Sequence, residues 1–176
     1  TLFSIHSNSF SEITNHGLNR YSIPPIMKPA FLNASEITYL GDSEPVISLD
    51  LGTHNRAYPL RILLWHELIN DTVDGKPILI SFSPLSGSGV VFKRQIGQQT
   101  LSFKNTGRLR HFNTLMFDTK TESWWQQFLG EAIIGSYTGE KLERIPSRRE
   151  SFGLFKKRSK KAVIMIPPRN TNYKYG

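Results

Sequence analysis

Residues 65–71 place an imidazole, an amide and two carboxylates inside an otherwise apolar stretch. Burying such groups is costly unless each finds a hydrogen-bond partner, so their presence here needs a reason. On a helix, His66 and Asn70 share one face, whereas Glu67 and Asp71 share the adjacent face. This is not a zinc-protease helix, because that chemistry needs a second histidine where Asn70 stands. Two interpretations stay open: hydrogen bonds to neighbouring loops, or a ligand-binding or acid–base role.

Residues 83–89, Ser-Pro-Leu-Ser-Gly-Ser-Gly, are a second candidate, because a strand end runs here into a turn of small residues. Such a turn lets backbone N–H groups approach an anion or a substrate closely. It lacks the Gly-Lys-Ser/Thr ending of a phosphate-binding loop, and its glycines are spaced wrongly around Ser88 for the nucleophile turn of a hydrolase. A tight hairpin is the alternative interpretation.

Residues 108–113 form a third candidate, a loop before a strand that carries two arginines and His111. If this loop approaches His66 and Ser86, the site holds two imidazoles, a carboxylate and arginines, which suits an anionic or carbonyl ligand. A hard metal ion held by His66, Glu67 and His111 is a further hypothesis, although no spacing motif supports it.

These segments supply two sets of candidate residues. The catalytic candidates carry a proton-transferring or nucleophilic group and are His66, Glu67, Ser83, Ser86 and His111. The ligand-binding candidates are polar, aromatic or conformationally free residues close to them, namely Tyr58, Arg61, Trp65, Asn70, Asp71, Gly87 and Arg110. No cofactor is expected.

The surrounding patterns predict mostly strands. Residues 46–51 and 56–60 read as a hairpin, and further strands are expected at 78–82, 90–94, 101–105, 114–119, 131–137, 141–145 and 162–166. Short helices are expected at 34–40, 61–70, 121–128 and 147–160, the last with Ser147 as its N-cap. The predicted fold class is therefore α+β: a single β-rich domain, mainly antiparallel sheet with a few short helices.

Composition sets the limits of this domain. The chain has 176 residues, 38% hydrophobic and 20% charged, which is enough to bury a core. No stretch reaches the roughly 18 apolar residues that a membrane span needs. The chain has no cysteine, which excludes disulfides and thiolate chemistry. We expect an N-terminal arm at 1–22 and one globular domain at 23–176.

The net charge of +8 lies in the C-terminal segment 148–176, which carries nine basic residues and one acidic residue. Its densest part, 148–161, suits an anionic surface, although a solvated basic helix face explains it as well. Nucleic acid is a less favoured partner, because no recognition motif accompanies the charge.

The chain resembles the bacterial family catalogued as domain of unknown function 3179. The similarity runs from about residue 24 to the C-terminus, and it rests on the motifs at 56–63, 65–67, 70–71, 83–92, 121–128 and 130–132. The resemblance implies that the chain shares the fold of this family. It implies no particular reaction, because the biochemical activity of the family is not settled. It also implies export, periplasmic or extracellular, because members of the family typically look exported or membrane-anchored.

One departure from the family pattern concerns Ser83 and Ser86. The family typically has Cys-Pro-Leu-Cys-Gly at this position, whereas this chain has Ser-Pro-Leu-Ser-Gly. A Cys-x-x-Cys pair supports redox chemistry or soft-metal binding, and serine supports neither near neutral pH. Natural loss of the thiols and deliberate replacement both fit the cysteine-free sequence.

Three functional hypotheses follow. The leading one is a non-catalytic binding or assembly subunit, with a protein partner or a second copy contacted through the arm and the basic segment. The alternative is an enzyme, or a protein that binds a metal or another ligand, with a pocket around His66, Glu67, Ser86 and His111. The weakest is polyanion binding through the basic segment.

Overall fold

The computed structural model describes residues 2–15, 17–51, 54–159, 161–169 and 172–175. Within these residues the helices are α1 (Leu60–His66) and α2 (Phe152–Arg158), with 3-10 turns at Leu2–Ser4, Phe10–Glu12 and Ala34–Glu36. The strands, in chain order, are β1 (Ile13–Asn15), β2 (Ala30–Asn33), β3 (Pro45–Leu51), β4 (His54–Pro59), β5 (Leu68–Val73), β6 (Lys76–Ser83), β7 (Ser88–Lys93), β8 (Gln95–Ile96), β9 (Gln99–Thr100), β10 (Phe103–Arg110), β11 (Asn113–Asp118), β12 (Trp124–Gln126), β13 (Glu131–Ile134), β14 (Arg144–Ile145), β15 (Arg148–Ser151) and β16 (Ala162–Ile166).

The larger sheets of the described chain stack in layers. Sheet A has the order β1-β10-β11-β12-β13, sheet B the order β14-β7-β6-β5, and sheet C the order β15-β3-β4-β16-β2. Every strand pair in them is antiparallel except β4 with β16, which is parallel. The prediction of a single β-rich domain with mainly antiparallel sheet is confirmed.

Sheet B lies in the middle of the stack, and β6 shows how. Ile78 and Ile80 point into the core shared with sheet C and α1, whereas Leu79 points into the core shared with sheet A. Alternate residues of a strand face opposite sides of a sheet, so an apolar run such as 78–82 is what burial on both faces requires. The candidate site forms where sheets A and B meet.

The N-terminal arm packs against its own domain. Strand β1 pairs with β10, and the Ser7 N–H donates to the Ile133 carbonyl over 3.0 Å. The arm therefore packs on residues of its own chain. No helix of the described residues is long and apolar enough to cross a membrane.

Two predicted helices are wrong in whole or in part. Residues 124–126 form strand β12 instead of a helix over 121–128, because Trp125 enters the core between sheets A and B while Trp124 packs on the opposite face. The helix predicted over 147–160 begins only at Phe152, with Ser151 as its N-cap instead of Ser147. The four residues before Phe152 pair with β3.

The other helix predictions are shortened by the structure. The helix expected over 61–70 is α1, which ends at His66, and the chain continues as β5 from Leu68. Residues 34–40 contain only the 3-10 turn Ala34–Glu36. The hairpin of β3 and β4 is confirmed, although residues 52–53 of its turn lie outside the described residues, and β16 has the predicted bounds.

Candidate functional site

Glu67 lies at the junction of α1 and β5 in a backbone conformation that side chains rarely adopt. Its φ is 55° and its ψ is −36°, and its N–H donates to the Leu63 carbonyl over 2.8 Å. A non-glycine residue with positive φ is strained, and such strain concentrates at functional sites. The Glu67 carbonyl accepts from the Phe82 N–H over 2.8 Å, which fixes the turn against the end of β6.

The Glu67 carboxyl group is buried and only partly paired. The residue is 8% exposed, and its Oε2 accepts from Asn105 Nδ2 over 2.7 Å and from Thr114 Oγ1 over 2.8 Å. Burial raises the pKa of Glu67, and the two hydrogen bonds oppose that rise without cancelling it. In the described part of the chain, Oε1 has no hydrogen-bond donor.

A chain of hydroxyl groups connects Ser83 to this carboxyl. Ser83 Oγ accepts from the Thr114 N–H over 3.0 Å and lies 3.1 Å from Thr114 Oγ1. The Thr114 hydroxyl has one proton, which it donates either to Glu67 Oε2 or to Ser83 Oγ. Ser83 is fully buried and therefore belongs to the surroundings of Glu67.

Glu67 lines a cleft of about 200 Å³ at the edge between sheets A and B. Most of its walls are apolar, and its polar groups come from Glu67, Asn105, Arg108 and Thr114. The Arg108 guanidinium is held in place because Nη1 donates to the Leu18 carbonyl over 2.9 Å. The remaining lining residues are Leu18, Ile23, Pro84, Leu85, Gly107 and Leu109.

The turn at 84–87 is fastened to strand β11 by a second polar network. Asn113 Nδ2 donates to Ser86 Oγ over 3.1 Å and to Gln127 Oε1 over 2.8 Å. Gly87 has a φ of 61°, which a residue with a side chain would adopt only under strain. The turn is thus a hydrogen-bonded hairpin connection at the edge of the cleft, as the hairpin interpretation predicts. Ser86 lies exposed on this turn.

His66 belongs to a different region from Glu67. Its Nδ1 lies 2.7 Å from the Pro24 carbonyl and must donate to it, so in the neutral ring Nε2 accepts from the Tyr175 hydroxyl over 2.7 Å. Burial lowers the pKa of His66, which favours this neutral ring. The Tyr173 ring packs tilted against Trp65 and edge to face against His66, so these two candidates hold the C-terminal segment.

His111 and Arg110 face the N-terminal arm. Arg110 Nη2 lies 2.6 Å from Glu12 Oε2, and His111 Nε2 lies 3.3 Å from the same oxygen. In the described residues, no hydrogen bond or ring contact joins His66, Ser86 and His111, so the predicted convergence has no contact to support it. These residues also contain no group of three or more His, Cys, Asp or Glu side chains placed to hold a metal ion.

The remaining ligand-binding candidates stabilise the fold. Asp71 binds the Tyr58 hydroxyl and the Arg56 guanidinium, each over 2.7 Å. Arg61 forms an ion pair with Glu44 over 2.7 Å. Asn70 exchanges two hydrogen bonds with the backbone of Phe103, which joins sheet B to sheet A.

Sequence reasoning missed two residues of the site, Asn105 and Thr114. Both are polar residues buried in predicted strands, and this was the available signal, because an inward polar side chain in a strand needs a partner. Their partner is Glu67, far away in sequence, and only the packing of sheet A on sheet B shows it.

Residues 20–176 match the family described as "Protein of unknown function (DUF3179)". The chain belongs to this family. Comparison with curated proteins and with solved structures finds no match. In this DUF3179 chain, Ser83 and Ser86 stand at the position of the cysteine pair, and the fold places Ser83 against Thr114 and Ser86 against Asn113.

The ionisation of Glu67 predicts a pH dependence of stability in this DUF3179 chain. Because the pKa of Glu67 is raised in the folded state, the folded protein holds this proton more tightly than the unfolded chain does. The stabilisation that this proton gives to the folded state is therefore complete at pH values below the ordinary glutamate pKa. It is lost as the pH rises through the raised pKa of Glu67 in the folded protein. In Glu67→Gln the amide keeps the hydrogen bonds and does not titrate.

We therefore expect the free energy of unfolding of the wild type, minus that of Glu67→Gln, to fall from acidic to neutral pH and then to level off. Urea titrations at a series of pH values measure the difference. Glu143→Gln is the matched control, because the side chain of Glu143 is exposed. A difference that stays flat over the same range would contradict the buried carboxyl.

Proposed function

We propose that this chain is a binding protein that takes into the Glu67 cleft a small molecule with an apolar body and an amide-like polar end. The observation that carries the proposal is Glu67 Oε1, an oxygen of a buried carboxyl that lines a cleft and has no donor in the described part of the chain. Oε1 is not among the fully buried, unpaired side-chain atoms of the described residues, so it is accessible from the cleft, where it can accept a hydrogen bond from a ligand N–H.

The other lining groups define the rest of the ligand. Arg108 presents a guanidinium that only donates, whereas the Glu67 carboxylate only accepts. A primary amide matches both, because its N–H groups donate and its carbonyl accepts. The leucines and the isoleucine of the walls suit an apolar ring, and a cleft of about 200 Å³ limits the ligand to a small molecule.

Three observations favour binding over catalysis. The imidazoles of His66 and His111 contact residues outside the cleft. The Ser83 hydroxyl is fully buried behind Thr114, where it has no access to a substrate. The hydroxyl that lies beside Glu67 in the cleft, Thr114 Oγ1, donates to the carboxyl group and has no imidazole in contact with it in the described part of the chain.

Titration of the isotopically labelled chain with benzamide, followed by amide NMR shifts, tests the proposal. We expect shifts around residues 105–109, 114 and 85, and at least about tenfold weaker binding in Glu67→Gln. In this variant the side-chain oxygen stays with Asn105 and Thr114, so the new NH₂ group faces the ligand N–H and two donors meet.

Glu143→Gln is the control and should bind benzamide as the wild type does. Benzoate and benzylamine carry the same ring and only one half of the hydrogen-bonding pattern, so both should bind more weakly than benzamide. Shifts that are absent from the cleft, or equal affinities of wild type and Glu67→Gln, would reject the proposed ligand class.

A further inference from the structure

Two turns next to the cleft present large apolar side chains to solvent. Leu85 lies at the tip of the turn between β6 and β7 and is 63% exposed. Phe112 lies in the turn between β10 and β11, is 73% exposed and has a φ of 60°. A phenylalanine has neither a burial gain nor a conformational preference for such a position, so packing within the chain does not explain it.

The two tips are held on one surface by a buried asparagine. Asn113 donates from Nδ2 to Ser86 beside Leu85, and its Oδ1 accepts from the N–H of the exposed Phe128 over 2.9 Å. Phe112 precedes Asn113 in the chain. We call Leu85, Phe112 and Phe128 the tip surface. An exposed apolar patch with a polar rim marks an interaction site.

The rim of the tip surface is basic. The Arg144 guanidinium lies 5.1 Å from the centre of the Phe128 ring and donates to the Phe128 carbonyl. Arg149 Nη1 donates to the Gly87 carbonyl over 3.3 Å. Neither arginine pairs with a carboxylate in the described part of the chain, and both are exposed. Glu12, the acidic residue beside His111, is already bound to Arg110.

We propose that the tip surface docks on an anionic lipid bilayer. Phe112 and Phe128 lie on turns outside the cleft, and Leu85 lies at the tip of the turn beside it, so the three exposed side chains suit a soft planar surface into which they insert. Aromatic and leucine side chains partition into the headgroup and acyl boundary, while unpaired arginines beside them bind anionic headgroups. The net charge of +8 favours the same surface.

Co-sedimentation of the full chain with phospholipid vesicles tests this inference. We expect binding to vesicles that contain about one third phosphatidylglycerol and little binding to pure phosphatidylcholine, with a strong decrease at high salt. Arg144→Gln/Arg149→Gln should weaken the partition by about ten- to thirty-fold. Phe112→Ser/Phe128→Ser should weaken the partition at least about tenfold, because the two rings that insert into the bilayer are lost.

The control variants remove the same kinds of side chain, one apolar and two basic, from positions outside the tip surface. Leu154→Ser deletes a side chain that is 58% exposed on α2, and Lys157→Gln/Lys161→Gln deletes two other charges of the basic segment. Leu154→Ser should keep the wild-type partition, and Lys157→Gln/Lys161→Gln should lose much less of it than Arg144→Gln/Arg149→Gln, because these lysines affect only the overall charge. Equal losses in these controls would overturn the inference, and so would a wild type that stays in the supernatant.

A second copy of the chain is the competing occupant of the tip surface. Analytical ultracentrifugation without vesicles detects it: a dimer that Phe112→Ser/Phe128→Ser dissociates would overturn the lipid assignment. Both phenylalanines lie outside the Glu67 cleft, so this variant should still bind benzamide. That result shows that the variant is folded, and it separates the lipid inference from the proposed ligand.

Discussion

Replacing Asp71 by alanine is expected to lower the free energy of unfolding by about 3 to 5 kcal/mol. Asp71 is buried, and its Oδ2 accepts from the Tyr58 hydroxyl and from the Arg56 guanidinium, each over 2.7 Å. Its Oδ1 accepts from the Thr72 N–H over 2.7 Å. The substitution leaves a half-buried cation and a buried phenol without their acceptor, and this desolvation is the source of the loss.

Tyr58 stays a hydrogen-bond donor in this cluster. Burial and the neighbouring Asp71 charge raise its pKa well above the ordinary value, so the phenol is protonated at neutral pH. Tyr58→Phe removes one hydrogen bond and leaves the ion pair of Asp71 with Arg56, so a smaller loss of about 1 kcal/mol is expected.

Urea unfolding measures both changes, and a constant slope with urea concentration shows that the variants unfold as the wild type does. Glu143→Ala is the control for loss of an acidic side chain, because Glu143 is exposed and 3.8 Å from its lysine partner. If Asp71→Ala lost no more stability than Glu143→Ala, the cluster would not hold β4 against β5.

The strands of this fold are largely readable from the sequence, and Trp124 and Trp125 show where local patterns fail. Thr121 and Ser123 resemble helix caps, but Thr121 Oγ1 binds the Asp118 carboxylate over 2.9 Å and makes a turn instead. Trp125 Nε1 donates to the same carboxylate over 3.0 Å, across the pair of β11 and β12. A cap-like hydroxyl and a turn-forming hydroxyl look alike until the acceptor is known.

The candidate site was half predictable for a similar reason. Glu67 and Ser83 are visible in the sequence, because a charge in an apolar stretch and a strand end before a small-residue turn are local signals. The contact between them passes through Thr114, whose position depends on the pairing of β10 with β11. Long-range strand pairing is not encoded in any local window, so the partner of Glu67 was not predictable.

Replacing Gly107 by alanine is the second change with a large expected effect. Gly107 has a φ of 72° at a register shift between β10 and β11, and an added Cβ would lie 2.6 Å from the Leu18 carbonyl oxygen and 2.9 Å from that of Asn19. The left-handed conformation costs about 1 to 2 kcal/mol and the overpacking about 1 to 3 kcal/mol. Backbone atoms cannot rotate away, so the segment at 18–19 must move.

Because Leu18 lines the Glu67 cleft, we expect Gly107→Ala to weaken benzamide binding as well as stability. Gly97→Ala is the matched control, because Gly97 has a φ of 54° and nothing lies within 4 Å of an added Cβ. This substitution therefore loses stability only through the left-handed backbone conformation. The difference between the two variants in urea unfolding isolates the packing of the arm on sheet A. Equal losses of stability, with benzamide binding intact in both, would show that the arm does not shape the cleft.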